Sequence, residues 1–216
     1  MQNVLPFLQK LQTNNNKDWF EANRPKYAIA KQEFEDFVQQ IITGINKFDP
    51  TIGDLQAKQC IFRINKDVRF SKDKSPYKNN MGASINPGGK KSLIAGYYLH
   101  LQPNASFLAG GVYMPMPDKL AAIRQEIDYN PQPLLKILKA TAFTKYFKGL
   151  DEDDKLKNAP KGYEKDHKYV EILKHKHFIV SYKLSDKDLD NPKTASNIIA
   201  AYKAMHPFLE YLRKAQ

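Results

Sequence analysis

Between Cys60 and Lys78 the chain gathers the side chains best suited to holding an anion. Arg63, Lys66, Arg69, Lys72, Lys74 and Lys78 stand there with only Asp67 and Asp73 to oppose them. A guanidinium presents a planar fork of donors that matches phosphate or carboxylate, and a lysine adds a mobile point charge. From Cys60 to Asn65 apolar and polar residues alternate. The stretch therefore reads as the end of a strand over 57–65, with Cys60, Phe62 and Ile64 on one face and Ile61, Arg63 and Asn65 on the other. Asp67 and Arg69 continue the polar face. A strand that delivers polar groups and opens into a cationic loop forms an anion site on a rigid support. On this reading Arg63, Arg69, Lys72, Lys74 and Lys78 contact the anion, and Asn65 and Tyr77 orient the ligand. The opposing reading pairs Arg63, Asp67, Arg69 and Asp73 internally as a lock on the loop, but two aspartates cannot neutralise every cation.

Asn23 and Arg24 are candidates for the same site, beside Trp19, Phe20 and Tyr27. Trp19 and Phe20 read as a small core joining the first helices. Asp67, Asp73 and His167 are the candidates for proton transfer, imidazole being the natural acid or base near neutral pH. His175 and His177 form an H-x-H pair, but no Asp, Glu or Cys completes a metal site at familiar spacing, so no metal is assigned. His100 shares the polar face of its strand with Tyr98 and joins the site if that face meets Arg63. The phosphate-binding glycine loops and the G-x-S-x-G nucleophile turn are missing from the sequence, so no cofactor is named. Cys60, the single cysteine, lies among apolar neighbours and reads as a buried, unreactive thiol.

The elements that must position these groups can be read in turn. Val4, Phe7, Leu8 and Leu11 mark a helix over 4–12, which Asn14-Asn15-Asn16 ends with a turn and a cap. A long helix follows from Arg24-Pro25 to Phe48, with Phe34, Phe37, Val38, Ile41, Ile42 and Ile45 on one face. After 57–65, strands are expected over 80–86, 94–102 and 106–114. Their short, turn-rich connections demand antiparallel pairing, and Gly110-Gly111 marks a bulge or a close backbone approach. Helices follow from Pro117, over 133–147 and from His167 to His175. A strand at 177–184 and a helix over about 192–214, with a kink at Pro207, complete the pattern. The result is a single α+β domain, an antiparallel meander flanked by helices. Its helical N-terminal part spans about 1–50, its sheet about 57–114, and a helical part with one further strand about 117–216.

Phe62-Arg63, Arg69-Phe-Ser-Lys-Asp-Lys-Ser-Pro-Tyr-Lys78, Asn15 through Trp19-Phe20 to Asn23-Arg24, Gly110-Gly111 to Pro115, Leu120 to Ile127 with Arg124, Pro160-Lys161-Gly162 and His167 together resemble a bacterial and fungal family of conserved hypothetical proteins, domain of unknown function 2461. The resemblance covers nearly the whole chain and implies one full-length α+β domain. Lys66 departs from it, standing where relatives carry arginine, which keeps the charge and loses the fork. The resemblance implies no activity.

The formal charge of +11 favours anionic partners, and 42% hydrophobic residues exclude a disordered chain. No window is long and apolar enough for a membrane span, the N-terminus has no signal-peptide pattern, and the lone cysteine suits a reducing compartment, so a cytoplasmic protein is expected. The leading expectation is a cationic pocket for a phosphorylated or other anionic small ligand, with transferase or hydrolase chemistry the natural class. The alternatives are a nucleic-acid-binding module that stacks bases on Tyr77, Tyr97 or Tyr98, and an interaction protein whose central loop is a structural salt-bridge network. Oligomeric state is not legible.

Overall fold

Strand alternation in the middle of the chain produces one four-stranded antiparallel sheet. The computed structural model describes residues 1–69 and 71–215, so Phe70 of the 69–78 motif lies outside the described residues. The strands β1 (Met81–Ile85), β2 (Gly96–Leu101), β3 (Ser106–Val112) and β4 (Phe178–Leu184) pair in chain order. Rows of partners cross the whole sheet, such as Ser84–Tyr98–Ala109–Ser181 and Gly82–His100–Phe107–Lys183. With a period of two, Ala83, Ile85, Tyr97, Leu99, Leu108 and Val180 fall on one face and are buried.

Ten helices are described, and two long ones fill that face. Helix α3 (Arg24–Ile45) buries Phe34, Val38, Ile41, Ile42 and Ile45, and the last helix, α10 (Thr194–Ala215), buries Ile198, Tyr202, Met205 and Leu209. Before α3 stand α1 (Val4–Thr13) and α2 (Lys17–Ala22), the latter capped by Asn16, whose side chain accepts from the Trp19 amide at 2.9 Å. Phe20 is buried and Trp19 half-buried against Phe7, a small core between the first helices. The long β3–β4 connection carries α5 (Pro117–Tyr129), α6 (Pro131–Lys139), α7 (Thr141–Thr144) and α8 (Val170–Leu173). The chain is a single α+β domain.

Three expectations change. The stretch 57–65 is not a strand: it begins as α4 (Ala57–Cys60), nucleated by a capping box between Gln56 and Gln59, and continues as an irregular arm. Ile61 and Ile64 turn inward while Phe62, Arg63 and Asn65 face out, so the apparent alternation breaks after Cys60. The stretch 133–147 divides at Ala140, whose extended backbone separates α6 from α7, and only 170–173 of the helix expected at 167–175 forms. The register passes through Gly110-Gly111 without a bulge. These glycines serve close approach instead, since a Cβ on Gly110 would collide with the Met205 sulfur and one on Gly111 (φ 132°) with the Phe178 carbonyl. Pro207 sits within α10, which runs on to Ala215; the remaining helix, α9, spans Asp186–Leu189.

A buried ionic hub joins α3, the sheet and α10. Asp49 is fully buried and takes hydrogen bonds from Arg213 (2.9 and 3.1 Å), the Tyr97 hydroxyl (2.9 Å) and Thr51, with His206 Nδ1 at 3.5 Å. Burial alone would raise this carboxyl. The hydrogen bonds from His206, Thr51 and Tyr97 and the charge of Arg213 hold it well below the usual carboxylate range. Its contribution to stability is therefore complete above the unfolded carboxylate value, about 3.9, and falls away as pH drops below it. Asp49→Asn, which strands Arg213, should cost about 3–5 kcal/mol in urea unfolding at pH 7. The cost should shrink as the pH is lowered from 5 to 2.5. A loss below about 1 kcal/mol at pH 7 would show that the hub does not hold the layers together.

Candidate functional site

The sheet face turned away from α3 and α10 is the floor of a cavity of about 780 Å³. On that floor Tyr98, His100 and Phe107 form a run of rings: His100 stacks on Phe107 at 4.6 Å between centroids, and Tyr98 lies 5.8 Å from Phe107. A side chain at Gly82 would press on the Tyr98 hydroxyl at 2.8 Å, so glycine there makes room for the phenol. His100 sits between two partners, Tyr98 Oη at Nδ1 and Gln102 Oε1 at Nε2, both at 3.0 Å. That arrangement assigns the proton to Nε2 and leaves Nδ1 to accept from the tyrosine. Burial lowers the imidazole pKa against the pull of Gln102, and burial raises that of the Tyr98 phenol. Leu93, Ile94 and Tyr113 form part of the rim.

The β1 side of the rim is the arm of residues 61–80. Ile61 bridges to Ala83, and the Phe62 amide donates to the Gly82 carbonyl at 3.0 Å. The arm then turns back on itself, Lys66 N donating to Pro76 O and Lys78 N to Ile64 O. Asn15 fixes the returning limb: its side-chain amide donates to Tyr77 O (2.9 Å) and its carbonyl accepts from Tyr77 N (3.1 Å), as a neighbouring strand would. Tyr77 itself is buried and stacked on Phe20 at 3.9 Å. This clamp brings Phe62, Arg63, Lys66 and Lys78 to the cavity wall. Lys78 Nζ lies 5.6 Å from the centre of the Phe62 ring. Partial burial and the neighbouring Arg63 charge both lower the Lys78 ammonium pKa. Among the described residues neither Arg63 nor Lys78 has a carboxylate at ion-pair distance; Asp67 acts on Arg63 only through the longer-range field.

The remaining sequence candidates separate from this pair. Arg69 forms a fork with Asp67 (2.7 and 3.0 Å) on the exposed outer part of the loop, while Lys66, at the cavity wall, pairs with the exposed Asp73. Lys74 donates to the Val68 carbonyl, and Lys72 and Asn65 are exposed and do not line the cavity. Asn23 donates to the Trp19 carbonyl and accepts from Lys26, at the edge of a separate groove among α1, α2 and α3, and Arg24 pairs with Glu21, both away from the cavity. His167 is held by Asp128 at 2.8 Å and by the Tyr169 amide, again outside the cavity. His177 accepts from the Met114 amide and faces Asp154, whereas His175 is buried with Nδ1 on the Ile172 carbonyl, so the H-x-H pair does not converge. Among the described residues no three His, Cys, Asp or Glu side chains are placed to hold a metal. Burial pushes the Cys60 thiol up to about 12, which leaves it unreactive.

A family description, conserved hypothetical protein (DUF2461), matches residues 3–211. The chain belongs to the DUF2461 family. Comparison with curated proteins and with solved structures finds no match. The DUF2461 match spans the floor and every wall of the cavity. Among the described residues no helix is long and apolar enough to cross a membrane.

Among the lining groups of this DUF2461 protein that sequence reasoning missed is the carboxylate of Asp151, which reads as part of a solvated charge cluster over 151–157. Its amide donates to the Ile179 carbonyl at 2.8 Å, and its carboxylate accepts from Ser181 Oγ at 3.0 Å. Burial raises its pKa, opposed by Ser181. The open-face parity of β4, on which Ser181 lies, was the available signal.

Like charges placed together and unpaired are costly to the fold, which suits binding better than bracing. Arg63→Ala should leave the melting temperature within about 2 °C of wild type, or raise it. A fall of more than about 5 °C would mean that Arg63 locks the loop.

Proposed function

We propose that this protein binds a small anion with a planar or apolar body in the cavity on the open sheet face. The observation that carries this reading is the pair Arg63 and Lys78, adjacent on the wall of a cavity with an aromatic floor and free of carboxylate partners among the described residues. A phosphate or carboxylate seats between these two cations, with Lys66 beside them. The body of the ligand lies on Tyr98 and Phe107 against Phe62. Charge-assisted hydrogen bonds from a fixed pair of cations hold the anionic group more strongly than neutral donors would. Of the sequence candidates, Arg63 and Lys78 keep an anion-binding role, and Arg69, Lys72 and Lys74 supply long-range attraction. For transferase or hydrolase chemistry, proton transfer falls to a group lining the cavity, His100, in place of Asp67, Asp73 and His167. A cytoplasmic setting belongs to the same proposal, since a phosphorylated metabolite and an unpaired buried cysteine both suit it.

The nucleic-acid alternative loses Tyr77 and Tyr97, both buried, and keeps Tyr98. The hollow is walled by Phe62 and Tyr113, which suits a single ring better than a continuous strand.

A thermal-shift panel of phosphorylated metabolites, nucleotides and aromatic carboxylates tests the proposal. A true ligand at one hundred times its Kd should stabilise wild type by about 2.7 kcal/mol, several degrees in Tm. The double variant Arg63→Ala/Lys78→Ala should lose that shift. Equal shifts in both proteins, or none across the panel at millimolar concentration, would overturn it.

A further inference from the structure

The cavity has a second pole. Asp151 rests on Ser181, at the β4 end of the row Ser84–Tyr98–Ala109–Ser181, while the arm bearing Arg63 runs along β1 at the other end. Three inter-strand spacings cross the sheet and the arm, paired on the outer side of β1, adds a fourth, about 19 Å between backbones. Side chains reaching in from both sides shorten that span to the length of a nucleotide. Between the poles Tyr98 supplies a ring face, and Ala109 and Gly111 keep the floor low next to Asp151. Among the described residues no Lys, Arg or His forms an ion pair with the Asp151 carboxylate, and Ser181 is its hydrogen-bond donor. A half-buried carboxylate whose donors come from Ser181 alone, through its hydroxyl and its backbone, and which no cation pairs directly keeps lone pairs to spare, and a ligand that supplies donors gains a charge-assisted pair.

Building on the anion-binding reading, we infer that Asp151 is the specificity-determining residue of this cavity and that the ligand is a purine mononucleotide of the guanine type. Its phosphate meets Arg63 and Lys78, its base lies on the aromatic floor, and its adjacent N1–H and N2–H groups face the two carboxylate oxygens. Side chains hold the phosphate, which is why the sequence needs none of the glycine loops that serve other nucleotide sites. An adenine edge offers an acceptor where guanine offers N1–H, and hypoxanthine lacks the 2-amino donor, so both leave Asp151 incompletely paired.

Calorimetric titration of the full chain with GMP, IMP, AMP and pyrophosphate separates the two levels of the argument. GMP should bind wild type about tenfold or more tightly than IMP or AMP. Asp151→Asn should bring GMP and IMP within about twofold of each other, and Asp151→Glu, which keeps the charge and moves it, should reduce the preference while preserving binding. Arg63→Ala should weaken all three nucleotides and pyrophosphate by a similar factor. If wild type binds GMP, IMP and AMP equally, or Asp151→Asn keeps the GMP preference, the inference fails while the anion pole stands. If neither the nucleotides nor pyrophosphate binds, the inference fails, and the anion-binding reading fails with it when the thermal-shift panel is also silent. Should Asp151→Asn not fold, the wild-type ranking of the nucleotides and the Asp151→Glu variant decide.

Discussion

One side-chain amide sets the position of the cations. Asn15 makes both backbone hydrogen bonds that Tyr77 would make to a neighbouring strand, and the turn between α1 and α2 thereby stands in for a strand at the returning limb of the arm. The Tyr77 ring, stacked on Phe20, buries the anchor. Because Lys78 follows Tyr77 and donates to Ile64 O, the same contact sets the height of Lys78 and Arg63 above the sheet. A backbone that must satisfy its polar groups when buried has few other arrangements here.

The charges of the arm sort by partner. Asp67 pairs with Arg69 at the exposed tip and Asp73 reaches Lys66, local pairs that contribute little to stability in water but shape the turn. Arg63, itself exposed, and the half-buried Lys78 stand without a carboxylate at ion-pair distance, and burial and the Arg63 charge lower the Lys78 pKa. Paired and unpaired cations thus occupy the same loop. The stability that this repulsion costs is supplied elsewhere, by the buried Asp49–Arg213 hub and by the apolar layer between the sheet and α3 and α10.

The meander was legible because its period-two pattern runs for five to seven residues with turn signals between, and the paired faces of Tyr97 and Tyr98 followed from parity alone. Strand parity placed Tyr98 and His100 on one polar face, and both line the same cavity as Arg63. Cys60–Asn65 deceived because a capping box at Gln56–Gln59 spends the first residues in a helical turn, and six residues cannot separate the two periods. Tyr77 reads as a recognition aromatic because nothing local shows that Asn15, sixty-two positions earlier, fixes it in the core. Asp151 hides in a charge cluster, and only the pairing of Ile179 with its amide brings it to the rim.

Soaking crystals of the protein with a set of small aromatic phosphates and carboxylates tests the central claim most directly. The account predicts density for a ring over Tyr98 and Phe107 with its anionic group between the Arg63 guanidinium and the Lys78 ammonium. Soaked anions found only at other sites, or an Arg63 guanidinium already paired with a carboxylate of its own chain, would contradict it.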